Sequence, residues 1–190
     1  KDVWEEGLVQ VVGGTVVALP ENSNEILAFD RMKGNPRWTQ RKPDGVEYVL
    51  GRRGAALITA GRGAVAGVSL EDGRTLWRTP ISGNSGRGTL CDTMVLMPCG
   101  QTIVRLNAED GRLLDSVRAQ TMDKLPLGNL YVNGDQLLVA GPERLYALVG
   151  ARKEFARLAE RIARQPDADA YLERGSLYAG IGHYPEADRK

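Results

Sequence analysis

The chain has one histidine, His183, and two cysteines, Cys91 and Cys99. A zinc site of the usual His and Cys type has too few donors, and a Ser-His-Asp or Cys-His set has no histidine outside the last eight residues. Charge of either sign is also missing in net terms, with 25 Lys and Arg against 24 Asp and Glu. A chain at +1 has no field to gather a phosphate backbone, so nucleic acid is not an expected partner. No run approaches the roughly 20 apolar residues of a membrane-crossing helix, and no basic, apolar and small-residue signal pattern opens the sequence. The chain begins at Lys1 without an initiator Met, which reads as a segment of a longer protein.

What is present is repetition. Aligned on glycine, EILAFDRMKGNPRW (25–38), AVAGVSLEDGRTLW (64–77) and TIVRLNAEDGRLLD (102–115) are one pattern, with Gly34, Gly73 and Gly111 spaced 39 and 38 residues apart. A fourth, partial copy, RLYALV (144–149), stops before its turn. Each copy is an apolar, β-rich run, a polar turn ending in glycine, and a second strand. Upstream of each lies another pair of apolar runs: 8–12 with 16–19, 46–50 with 55–59, Leu90 with 95–97, and 130–132 with 137–140. Their connections are Gly13-Gly14, Gly-Arg-Arg-Gly at 51–54, Cys-Asp-Thr at 91–93 and Asn-Gly-Asp at 133–135. Four short strands every ~39 residues is the spacing of a propeller blade.

A blade cannot bury both faces alone, so neighbours must stack. Trp38 and Trp77 each follow their glycine by four residues and are expected to cover the seam between blades. The third copy has Asp115 there, so its seam should be weaker or packed differently. In the third copy's hairpin, Leu90 should face Val95 and Cys99 should fall opposite Gly86. That separates Cys99 from Cys91 by several residues and predicts no disulfide, only two small buried side chains.

The turn, glycine and tryptophan in register resemble the PQQ-like, quinoprotein-type β-propeller repeat over about residues 8–149. The resemblance implies a mainly β fold: a partial propeller of about three and a half four-stranded blades, residues 1–149. The family includes cofactor-dependent dehydrogenases and scaffolds without a cofactor. Enzymes among them hold the quinone in a funnel with a Ca²⁺ or lanthanide ion, an Asp base, a Trp platform and often a vicinal disulfide. Cys91 and Cys99 are not adjacent, and no segment matches that ligand cluster.

After residue 149 the period changes. Phe155, Leu158, Ala159 and Ile162 form one helical stripe, and Pro166 with Asp167 breaks it. The segment AYLERGSLYAGIGHYPEA (170–187) is similar to the tetratricopeptide (TPR) repeat, with Tyr171, Gly175, Tyr178, Gly182, Tyr184 and Ala187 at its aromatic and small positions. Arg174 stands where Leu is usual. Residues 150–190 are thus read as a helical segment with an incomplete TPR. Propellers running directly into such repeats resemble bacterial proteins common in planctomycetes.

The remaining chemical candidates have simpler readings. His183 is a turn residue beside Tyr184, without an orienting partner. Glu71-Asp72 and Glu109-Asp110 precede turn glycines, where acids bond the local backbone. GNSGRG (83–88) lacks the Lys-Ser/Thr pair of a phosphate loop and reads as an inter-blade loop. The Arg-Gly clusters at 51–54 and 61–63 read as turns. The expectation is a non-catalytic scaffold binding protein or peptide partners, with no cofactor. The rivals are a PQQ and Ca²⁺ dehydrogenase and an envelope assembly subunit. The resemblance points to an extracytoplasmic location.

Overall fold

A computed structural model describes residues 8–20, 22–118, 126–134, 136–141 and 143–180. The chain runs β1 (Leu8–Val12), β2 (Thr15–Leu19), β3 (Glu25–Asp30), β4 (Pro36–Arg41), then β5 (Tyr48–Arg53), β6 (Ala56–Ala60), β7 (Ala64–Ser69), β8 (Thr75–Pro80). It continues with β9 (Thr89–Cys91), β10 (Met94–Cys99), β11 (Thr102–Asn107), β12 (Leu113–Arg118), β13 (Asn129–Asn133), β14 (Gln136–Ala140) and β15 (Leu145–Val149). Two helices follow, α1 (Ala151–Arg164) and α2 (Ala168–Gly180). The strands form three four-stranded antiparallel meanders and one of three strands, each paired in sequence order. This is the mainly β stack of blades that the 39-residue rhythm requires.

Burial follows the number of covered faces. In β2, on the first sheet, buried and half-buried residues alternate, as on a sheet with one packed side. In β6, on the second sheet, all five residues are buried, because a neighbour lies on each face. Thr59 tolerates that position by donating its hydroxyl to the Ala66 carbonyl (3.0 Å). Three apolar seams result. Val17, Leu19 and Ile26 meet Val49, Leu57 and Val68 between sheets one and two. Ile58, Val65 and Ile81 meet Val95, Met97 and Leu106 between two and three. Leu96 and Ile103 meet Leu130 and Val139 between three and four. The outer strands β4, β8 and β12 are mostly exposed.

Some expected boundaries shift. Residues 51–53 are strand rather than turn: β5 runs through Arg53, and only Gly54-Ala55 reverse the chain. A register shift between Val49 and Gly51 absorbs the extra residue, and the side chain absent at Gly51 leaves room for Leu90. Residues 46 and 47 precede the strand. Leu90 does face Val95, but Cys99 bridges to Asn84 rather than Gly86, because the 83–88 loop bends inward where Gly86 meets the backbone of Gly128. Cys91 and Cys99 are free, as expected, yet half-buried rather than buried.

Among the described residues the helical part has two helices joined at residues 165–167, and none is long and apolar enough to cross a membrane. Phe155 on α1 packs against Tyr178 on α2 with ring centroids 4.3 Å apart, while Leu158 and Ala170 are buried. Arg161 reaches Asp167 (3.0 Å) and Glu173 (3.2 Å). Tyr171 lies at the surface under the Arg174 guanidinium, 5.2 Å from its centroid, and Gly175 is half-buried. Gly182, His183, Tyr184 and Ala187 lie outside the described residues.

Candidate functional site

Each repeat builds the same turn. Asp30, Ser69 and Asn107 end β3, β7 and β11, and their carbonyls accept the amides of Gly34 (2.8 Å), Gly73 (2.9 Å) and Gly111 (2.9 Å). Their side-chain oxygens accept backbone amides within the turns, from Met32, Glu71 and Glu109 respectively. Of the four acids expected to serve the turns, the two aspartates do so: Asp72 accepts the Arg74 amide and Asp110 that of Arg112, whereas the Glu109 carboxylate reaches Arg53 on the second sheet. Asp72 is held below the usual carboxylate range, first by the Ser69 hydroxyl. Asp30 is lowered first by Arg37, whose guanidinium also reaches Thr15 (3.0 Å).

After each turn a bulge sets the outer strand. Register shifts between Ala28 and Phe29, between Gly67 and Val68, and between Arg105 and Leu106, so Arg37, Leu76 and Leu114 are the extra residues. The following residue is thereby aimed at the next sheet. At two of the three positions it is tryptophan, opposite a small residue: Trp38 faces Ala28, and Trp77 faces Gly67.

The indole does more than cover a seam; it seats on the next repeat's turn glycine. A Cβ on Gly73 would stand 2.5 Å from Trp38 Cε3, and one on Gly111 would stand 2.8 Å from Trp77 Cδ2. Both glycines have left-handed φ, +75° and +72°. The Trp38 N–H donates to the Leu70 carbonyl (3.0 Å) and Gln40 to that of Asp72 (3.3 Å). In the next seam the Thr79 hydroxyl donates to the Gly111 carbonyl (2.6 Å), while Trp77 Nε1 is buried with no acceptor among the described residues. Gly34 has the same turn and φ of +69°, but nothing within 4 Å of its Cβ position.

The third seam is packed differently, as Asp115 predicts. Arg105 replaces the small residue opposite it, and the two form a two-pronged ion pair. Arg105 holds the Asp115 carboxyl below its ordinary range. On the inner side, the 83–88 loop ties three sheets together. Arg87 stacks on Tyr48 (4.5 Å), the Gly88 amide donates to the Tyr48 hydroxyl (3.2 Å), and the Arg87 amide donates to Asn129 (2.8 Å). Burial raises the Tyr48 phenol.

Acids of the described residues are engaged within the blades. No three His, Cys, Asp or Glu side chains gather among the described residues, and Asp30, Asp72 and Asp115 are already bound to Arg37, Arg74 and Arg105. What the stack does offer is apolar surface. Val9 and Val11 on the first sheet are 64% and 55% exposed, and Tyr131 on the fourth is 64% exposed.

Sequence reasoning missed the turn-ending residues 30, 69 and 107, the bulge, and the pairing of each indole with the following glycine. The recurrent Asp, Ser or Asn four residues before each glycine was a usable signal for the first.

Comparison with known proteins agrees with this geometry. No curated protein matches the chain. BamB from Moraxella catarrhalis superposes with a TM-score of 0.55 at 17% identity, over 72% of this chain and 46% of that one. The chain thus spans about half the length of that BamB. The computationally designed Ika4 protein superposes with a TM-score of 0.59 at 11% identity, over 78% of this chain and 94% of that one. The family model described as Outer membrane protein assembly factor BamB matches residues 1–125 of 190. The chain, with its PQQ-like repeats locked indole to glycine, belongs to that family.

Proposed function

We propose that the chain is a non-catalytic scaffold of propeller blades that holds protein partners in an envelope assembly, outside the cytoplasm and without PQQ or Ca²⁺. The single observation that carries this reading is the match of residues 1–125 to an assembly-factor family. The acids being consumed by turns and ion pairs agrees with it. In this reading α1 and α2 begin a TPR-like extension, in which Tyr178 and Phe155 fill the space between helices and Gly175 permits their approach, adding a second peptide-binding surface.

The test is affinity capture by the full-length protein from a membrane extract of its own host. The expected outcome is co-purification of outer-membrane assembly proteins at fixed stoichiometry. A full-length preparation that captures none of them, yet shows a thermal shift with PQQ and Ca²⁺ and oxidises alcohols, would overturn the proposal in favour of a dehydrogenase.

A further inference from the structure

The first sheet presents on its outer side the same surface that the second and third sheets bury. Phe29, Val68 and Leu106 each precede the residue that ends the strand, and they pair with Val16, Leu57 and Val95. Leu57 and Val68 are fully buried against sheet one, and Val95 and Leu106 against sheet two. Val16 and Phe29 are only half-buried. Val11, which pairs with Val16, and Val9, two residues back on the same face, are exposed.

The turn beside that face matches as well. Gly34 closes the same turn as Gly73 and Gly111 and has the same left-handed φ. No atom of the described residues stands within 4 Å of its Cβ position. It is a seat without an indole.

The two filled seats show what belongs there. In both, the indole comes from the repeat that precedes the glycine in the chain. Two residues past each indole, a side chain donates to the same turn: Gln40 to the Asp72 carbonyl and Thr79 to that of Gly111. A second copy of the chain has no such strand to offer, because Trp38 and Trp77 are already seated and the third outer strand has Asp115. Trp4, the remaining tryptophan, precedes Gly34 by 30 residues, against 35 and 34 in the filled pairs. Glu6, two residues past it, is a carboxylate with no proton to donate at neutral pH.

We propose that a further repeat, N-terminal to Leu8 in the full-length protein, lies on this face. Its outer strand places an indole on Gly34 and, two residues on, a donor such as Gln or Thr at the turn. The face continues the pattern of the two closed seams, and the new sheet buries Val16 and Phe29 as sheets one and two bury their equivalents. Val9 and Val11 are then covered and not open to a partner protein. The proposal goes beyond the scaffold reading and does not depend on it.

Melting temperatures of the full-length protein test it. Gly34→Ala should lower the midpoint as much as Gly73→Ala does, and by at least about 2 °C more than Gly54→Ala. Gly54, at φ +56° with nothing within 4 Å, carries the backbone strain alone. In the 190-residue chain by itself the seat is empty, so Gly34→Ala should there fall short of Gly73→Ala. A full-length Gly34→Ala loss no larger than that of Gly54→Ala would overturn the proposal. A photo-crosslinking residue at Met32, which is 87% exposed within the same turn, identifies the occupant. It should link to a tryptophan-bearing peptide that precedes Leu8 in the same polypeptide. A link to a separate protein, a link between copies in a mixture of isotopically labelled and unlabelled chains, or no link at all would overturn it. The capture experiment above decides the scaffold reading whichever way these measurements come out.

Discussion

The first and third seams are built from the same repeat and closed by opposite chemistry. Between sheets one and two, an indole lies on a left-handed glycine and donates to the Leu70 carbonyl. Between sheets three and four, a surface ion pair occupies those positions and a groove stays open. Backbone pattern and bulge are conserved across the two, so strand geometry alone does not seal a seam. The seal comes from one large side chain meeting one position with no side chain at all.

Breaking the indole should have the largest effect. Trp38→Ala removes the ring and its hydrogen bond, and should cost about 3–5 kcal/mol in denaturant unfolding. Trp77→Ala should approach that figure; a loss within about 0.5 kcal/mol for either would place the ring at the surface and dissolve the contrast. The seat comes next. Gly34→Ala and Gly73→Ala share the strain of a left-handed φ, but only Gly73 has an indole above it. Gly73→Ala should therefore exceed Gly34→Ala by about 1–3 kcal/mol, the cost of overpacking. Equal losses would mean that the ring moves aside freely.

Smaller effects sharpen the comparison. Arg53 spans the second seam to Asp92 (3.8 Å) and Glu109 (3.4 Å), both exposed. Arg53→Ala should cost about 1 kcal/mol or less, and less still at high salt. The smallest change is a pH dependence at the third seam. Asp115 is depressed in the folded chain by Arg105, so its contribution is complete above the unfolded carboxylate value, near ~3.9. It is lost as pH falls through the lower folded value. Thermal melts of Asp115→Asn and the parent chain should differ most at neutral pH and converge in acid; a constant offset would show that the pair carries no linked proton.

How much of this was readable in advance depends on sequence distance. The hairpins, the turn glycines and the exceptional Asp115 follow from a local pattern, because strand alternation and turn chemistry act within a dozen residues. The seat did not, because Trp38 and Gly73 belong to different copies. Nothing in either copy announces which neighbour's glycine an indole will choose. The end of β5 was misplaced because Gly-Arg-Arg-Gly has turn composition, while the bulge at Val49 and Gly51 keeps it in the ladder. The Arg105 partner of Asp115 was hidden for the same reason, since the bulge changes which residues face each other.

The lock also sets an order of events during synthesis. Trp38 has no seat until Gly73 has been made, 35 residues later, and Trp77 waits 34 residues for Gly111. At the usual pace of translation, about 5–20 residues per second, each indole stays uncovered for some seconds while the next repeat emerges. The earliest that each seam can close is therefore one repeat in arrears of the ribosome.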